Sequence, residues 1–162
     1  MKFKQDIIDI LNQDARTPHE TIAVMLGADK AAVSAAIAEM EQDGTIVKYT
    51  ALVNTDKLDR SVVEEYIELR VSPSHTAGFD AIAEAVGRFD EVKSVFLMSG
   101  GYDLAVIVEG KNLRDVAMFV SEKLAGIDRI VTTATHFILK RYKSGGVFMT
   151  QSPDTERLAV HA

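Results

Sequence analysis

The sequence predicts an α+β chain: an N-terminal winged helix-turn-helix domain, then a ferredoxin-like β-α-β-β-α-β unit. Three observations predict it. Apolar residues recur at helical spacing through residues 3–44 and at a spacing of two in several later segments. Two short helical stretches near the N-terminus are joined by a brief turn containing glycine. The later elements then run strand, helix, strand, strand, helix, strand.

Phe3, Ile7, Ile10 and Leu11 share one face of a first helix. Thr17-Pro18-His19-Glu20 reads as the start of a second, with Thr17 as N-cap, Pro18 in the first helical position and Glu20 completing a capping box. That helix carries Ile22, Ala23 and Leu26 and ends at Gly27. Asp29 caps a third helix with the apolar stripe Val33, Ala36, Ile37 and Met40, stopped by Gly44. Residues 46–53 are rich in β-branched and aromatic side chains and are predicted as a strand or small wing. Residues 1–53 thus form the winged helix-turn-helix domain, and the polar stretch 54–61 reads as a linker.

The second domain spans residues 62–143. Ile67, Leu69 and Val71 alternate in a strand that Pro73 closes. A helix over 76–89 turns Phe79, Ile82, Ala83, Val86 and Phe89 to one face. Val92–Met98 is a strand, Ser99–Tyr102 a turn, and 103–109 a strand with Leu104, Val106 and Val108 alternating. A helix over 111–125 is expected to bury Leu113, Val116, Ala117, Val120 and Leu124, and a long last strand runs over 130–142. Both helices must lie on one side of the sheet. Neither face of the last strand reads as polar enough to stand in water, and Val95 and Leu97 oppose Phe96 and Met98 in the second, which predicts that a second copy covers the open face; the alternative is cover by the linker or the N-terminal half. Residues 144–162 form a tail in which Ser144-Gly145-Gly146 breaks the strand. Val147–Met149 can form a short strand. Ser152–Thr155 can cap a helix or precede a strand at 158–160, and the strand is favoured.

Composition narrows the function. With 162 residues, 47% hydrophobic and 26% charged, the chain is long enough to bury a core and is not wholly disordered. The absence of cysteine excludes disulfides, iron–sulfur clusters and cysteine zinc sites. The four scattered histidines make no local metal motif, so no metal and no cofactor is expected. A net charge of −6 excludes a strongly basic polyelectrolyte binder, and a nucleic-acid role needs a local patch. No export signal or membrane span is found, and a cytoplasmic chain is expected. An enzyme is disfavoured: there is no nucleophile-elbow serine, P-loop or dinucleotide fingerprint. Glu64, Glu65 and Glu68 read as a solvated strand end, the six methionines as core or interface filler, and His19 as exposed.

Several motifs, in order, resemble the leucine-responsive regulator/AsnC (feast/famine) family. They are Leu11–Arg16 at the end of the first helix, and Leu26-Gly27 with Asp29, then Met40-Glu41 and Gly44–Ile46. The loop Ser99-Gly100-Gly101-Tyr102-Asp103 and the strand Thr135–Lys140 complete them. The resemblance covers residues 3–143. It implies a transcriptional regulator that binds double-stranded DNA through its helix-turn-helix. It also implies dimers formed through the effector-domain sheet, assembling to tetramers or octamers, and a response to a small molecule, commonly an amino acid.

Helix-turn-helix proteins lay the second helix of the motif in the major groove. Lys30, Ala31, Ala32, Ser34 and Ala35 are the candidate face, with Lys2, Lys4, Arg16 and Lys48 as further phosphate contacts. Family members often carry arginines where this chain has Ala35–Glu39. Residues 1–50 hold five basic and eight acidic side chains, a net of −3. Avidity in an oligomer can compensate for weak single contacts. The alternative is an amino-acid sensor or assembly partner of the same fold with weak or no DNA binding.

In the effector half, backbone N–H groups at Gly100 and Gly101 can hold a carboxylate, and Asp103 can accept from an α-ammonium. Around this loop the resemblance places the effector, so Gly100, Gly101, Tyr102 and Asp103 are the candidate residues, with Thr132 and His136 as walls. Asp103 can equally be a turn residue that caps backbone N–H groups.

Overall fold

The computed structural model describes residues 2–58, 62–72 and 78–149. The chain divides into two compact units between Val53 and Asn54.

The first unit holds α1 (Lys2–Gln13), α2 (His19–Leu26) and α3 (Lys30–Gln42). Its core is Ile7 from α1, Ile22 and Ala23 from α2, and Val33, Ala36, Ile37 and Met40 from α3, the stripe expected for that helix. Axes α2 and α3 meet at 112°, within the range of helix-turn-helix pairs. The turn between them is specified locally. Gly27 takes the left-handed conformation at φ +59°, its N–H returns to Ala23 and Val24, and Ala28 N–H bonds Ala23 O at 2.9 Å. These bonds satisfy the last carbonyls of α2. Asp29 then accepts from Ala31 N–H at 2.9 Å and caps α3.

Two expectations for this unit fail. The start of α2 lies one residue later than expected, because Pro18 is extended at ψ 145° and is itself the N-cap. The Thr17 hydroxyl instead donates backwards to Asp14 O, and Glu20 pairs with Lys30 rather than closing a capping box. Residues 46–53 form no strand, since a β-ladder needs a partner and no described strand of this unit supplies one. Ile46 packs on the core and Tyr49 donates to Glu41 Oε1 at 2.9 Å. Between this segment and α1 lies an open groove of about 440 Å³.

The second unit is a four-stranded antiparallel sheet of β1 (Val63–Val71), β2 (Val92–Leu97), β3 (Leu104–Gly110) and β4 (Ile130–Phe137), in the order β2-β3-β1-β4. α4 (Phe79–Gly87) follows β1, and α5 (Leu113–Met118) follows β3. Ile67, Leu69 and Val71 face the helices with Leu104, Val106 and Val108, against Ile82 and Val86 of α4. Pro73, the expected first turn at residues 76–77 and the C-terminal strand at 158–160 lie outside the described residues.

The helix expected over 111–125 changes pitch midway. After Met118 it widens into a π-turn, Phe119–Leu124, with Ala125 N–H reaching back to Val120 O. Val116 and Leu124 are buried as expected and Val120 is half-buried, whereas Phe119, not expected inside, is buried and Leu113 and Ala117, expected inside, are exposed. The last strand ends at Phe137 rather than running to residue 142. Beyond it β5 (Lys143–Ser144) and β6 (Val147–Phe148) form a hairpin across Gly145 and Gly146, whose φ values of +52° and +81° fit a two-residue primed turn.

Candidate DNA-reading and effector sites

On α3, Lys30, Ala31, Ala32 and Ala35 are exposed along one side. Ser34 is half-buried, and its hydroxyl meets His19 Nδ1 at 2.9 Å across the turn. The methyl-rich surface lets the helix approach closely and offers thymine methyls an apolar contact, but few hydrogen-bond donors. Three of the five expected phosphate contacts already hold carboxylates. Lys30 pairs with Glu20, Lys4 with Glu39 at 2.8 Å, and Arg16 with Asp14 at 3.3 Å. The hydrogen bond from Lys30 lowers the Glu20 carboxyl, and that from the Arg16 backbone lowers Asp14. Lys2 and Lys48 are exposed.

The sheet face opposite the helices is set by register. Tyr66 stands between Ile107 and His136, Glu68 between Ala105 and Ala134, and Arg70 beside Thr132. Phe96, 53% exposed, joins the row of Glu68 through Ala105. This face is more polar than its strands suggested one at a time, and its polar groups pair with one another. The Tyr66 and Tyr102 hydroxyls are hydrogen-bonded. His136 Nε2 lies 3.3 Å from Glu68 Oε1, and Arg141 Nη2 lies 2.5 Å from Glu64 Oε1. The bond to Tyr102 pushes the Tyr66 hydroxyl up to about 12. A concavity of about 370 Å³ opens here, lined by Glu68, Arg70, Gly101, Tyr102, Thr132 and Ala134.

Gly101, Tyr102 and Thr132 are thus brought together, with His136 one residue pair away through Glu68. Gly100 and Asp103 do not line the concavity. Asp103 Oδ2 accepts from Val71 N–H at 2.9 Å, its own N–H donates to Leu69 O, and its carbonyl receives Met98 N–H. That carboxylate knits the β2–β3 loop to β1. Gly100 and Gly101 have no positive φ, and a Cβ at either would meet nothing within 4 Å. The fold of the described chain therefore does not itself demand glycine at these positions. Arg70 and Glu68 were missed as site residues. The signal was the alternation Glu64, Tyr66, Glu68, Arg70, which sets four polar side chains on the face opposite Ile67 and Leu69.

Glu65, expected at a solvated strand end, is 1% exposed and on the helix-facing side between Val108 and Phe137. Neither carboxylate oxygen has a hydrogen-bond partner among the described residues, and burial pushes its carboxyl up. Strand parity explains the error, since Glu65 shares its face with Ile67. No group of three or more metal-ligating side chains occurs among the described residues. No single described helix is long and apolar enough to cross a membrane.

A helix-turn-helix unit joined to a β-α-β-β-α-β ligand-binding unit defines a class, the DNA-binding transcriptional regulators with a small-molecule domain. Comparison with known proteins makes the assignment. Residues 2–47 match the winged helix-turn-helix DNA-binding model, and residues 64–148 match the Lrp/AsnC ligand-binding domain. The chain is 42% identical to the HTH-type transcriptional regulator YugG of Bacillus subtilis, over 96% of this chain and 94% of that protein. It is 31% identical to the HTH-type transcriptional regulator LrpA of Pyrococcus abyssi, over 85% and 94%. In fold it matches the regulator NMB0573 of Neisseria meningitidis, solved as a complex with L-Met, with a TM-score of 0.71 and 18% identity over 89% and 92% of the two chains. The chain belongs to the Lrp/AsnC family of transcriptional regulators, and it is a regulator rather than an enzyme.

Proposed function

We propose that the chain is a sequence-specific regulator of genes of amino-acid metabolism, works in the cytoplasm, and changes its DNA binding when an amino acid occupies the effector unit. The observation that carries this reading is the concavity on the open sheet face. It sets the Arg70 guanidinium and the Glu68 carboxylate beside Gly101 and Tyr102, which are partners for the two charged ends of an amino acid. Its volume of about 370 Å³ lies in the range of small-molecule sites. The Neisseria relative in complex with L-Met adds a precedent for that ligand class. Gly100 and Asp103 border the same loop, and Thr132 and His136 flank it from β4.

The working form in this reading is a homodimer packed through the open sheet face, assembling to tetramers or octamers. The internal pairing of Tyr66 with Tyr102 and of Glu68 with His136 supports it, since polar groups satisfied in advance cost less to bury. Arg16, Lys30 and Lys48, with Lys2 and Lys4, would meet phosphates, and Ala31, Ala32, Ser34 and Ala35 would face the bases.

The test is titration of the full chain against a duplex of its own upstream region at low salt, with light scattering alongside. The reading expects a shift at micromolar protein and a mass of at least two chains. A monomer that moves no DNA would sink it. The second reading, a sensor or assembly partner with little DNA binding, draws on the pairing of Lys4, Arg16 and Lys30 with carboxylates. An oligomer that binds amino acids and no DNA would select it.

A further inference from the structure

DNA affinity draws on cations that displace counterions from phosphates. The reading head is poor in them: residues 1–50 carry a net of −3, and Lys4, Arg16 and Lys30 are each held against a carboxylate. An ion pair of zero net charge releases few counterions when a phosphate approaches. The rest of the chain also carries a net of −3, but one segment of it is basic. Between Asp128 and Asp154 there is no acidic residue, and four basic ones fall there: Arg129, Lys140, Arg141 and Lys143.

The last three cluster where β4 gives way to the β5–β6 hairpin. Arg141 is tied back to Glu64 of β1 and fixes the segment on the sheet. Among the described residues, no carboxylate pairs with the two exposed lysines. Lys140 Nζ sits 5.0 Å from the centroid of the Tyr142 ring, and Lys143 Nζ sits 5.1 Å from that of Phe148. Those rings are 64% and 72% exposed, large for aromatic side chains, and serve as platforms for the ammonium groups. A ring face orients an ammonium but does not cancel its charge, as a carboxylate would. The two-residue glycine turn and the bond from Met149 N–H to Tyr142 O at 2.9 Å keep the hairpin closed.

We propose that this basic hairpin, through Lys140 and Lys143, is a second DNA-contacting element of the protein, binding the phosphate backbone of duplex DNA outside the helix-turn-helix. It rests on the chain's being a DNA-binding regulator and adds a surface to that function. Its contacts are to phosphate and carry no sequence preference.

The experiment measures the affinity of the full chain for its upstream duplex, and for an unrelated duplex of equal length, across a series of KCl concentrations. The chains compared are wild type, Lys140→Gln/Lys143→Gln and Lys140→Arg/Lys143→Arg, each with its mass followed by light scattering. The Gln pair is expected to lower the slope of log K against log salt by about 1.8 in magnitude for each hairpin that meets the duplex, at about 0.9 per phosphate contact. It should weaken both duplexes by the same factor at unchanged mass, and the Arg pair should restore the slope. An unchanged slope overturns the proposal. A fall in mass with the Gln pair also overturns it, and assigns the hairpin to contact between copies. A wild type that binds neither duplex fails the DNA reading itself, a result seen before any variant is made.

Discussion

The reading head and the effector unit hold their carboxylates in opposite ways. In the head, Asp14, Glu20 and Asp43 lie at the surface, each stabilised as an anion by a nearby N–H, ammonium or hydroxyl. In the effector unit Glu65 is buried with no hydrogen-bond partner among the described residues, and burial pushes its carboxyl up. Anions stabilised in the folded state lend stability above their unfolded pKa that is lost as pH falls through the lowered one. A carboxyl raised by burial does the reverse: stability is full below the ordinary carboxylate range and declines as pH rises through the raised pKa. Glu91, lowered by its bond from Lys123, runs against Glu65 within the same unit. The difference teaches that a small helical unit can be specified by surface caps, whereas the sheet unit carries a buried polar group at a cost.

Core truncations give the largest effect. Met40→Ala in the head and Leu69→Ala in the effector unit each remove a fully buried side chain, and each should cost about 2–5 kcal/mol. Amide exchange read residue by residue should place the loss in the unit that bears the change. Equal loss in both units would erase the contrast between them.

Glu65→Met comes next, with the opposite sign. Replacing the unpartnered carboxyl by an apolar side chain should stabilise the protein by about 1–3 kcal/mol at neutral pH. It should also flatten the decline on the alkaline side of the carboxylate range. Urea melts across pH check both, and a less stable variant would show that Glu65 has a partner in solution.

Asp103→Ala should cost about 1–2 kcal/mol through the orphaned Val71 N–H, whereas Asp103→Asn keeps an acceptor there and stays near wild type. Thermal melts of the pair read the difference. The smallest effect is Asp29→Ala, which removes the α3 cap at about 1 kcal/mol. It should lower the melting temperature and weaken DNA binding only slightly.

The legibility of the sequence followed the range of the interactions. The turn from Gly27 to Asp29 and the stripe Val33, Ala36, Ile37, Met40 were readable because caps and helical periods are local. The alternation in β1 and β3 was readable for the same reason. Residues 46–53 were misread because strand propensity does not supply a partner, and Leu113 and Ala117 were placed inside by their apolar type, although the buried side of α5 is set by Val116 and Phe119. Glu65 was placed outside by its type, although its parity with Ile67 put it inside. In the candidate site, Gly101 and Tyr102 came from the loop motif and Thr132 was expected as a wall residue. The alternation of β1 puts Arg70 and Glu68 on the open face, but what sets them beside those three is the register of β1 with β3 and β4, which no local pattern discloses.

The effector reading is tested most directly by the DNA affinity of wild type and Arg70→Gln measured with each amino acid in turn. The account predicts that at least one amino acid shifts the wild-type affinity by roughly 5- to 150-fold. It predicts that Arg70→Gln, a change at an exposed residue that lines the concavity, abolishes the shift at an unchanged melting temperature. Wild-type binding indifferent to every amino acid, or a shift that survives in Arg70→Gln, contradicts it.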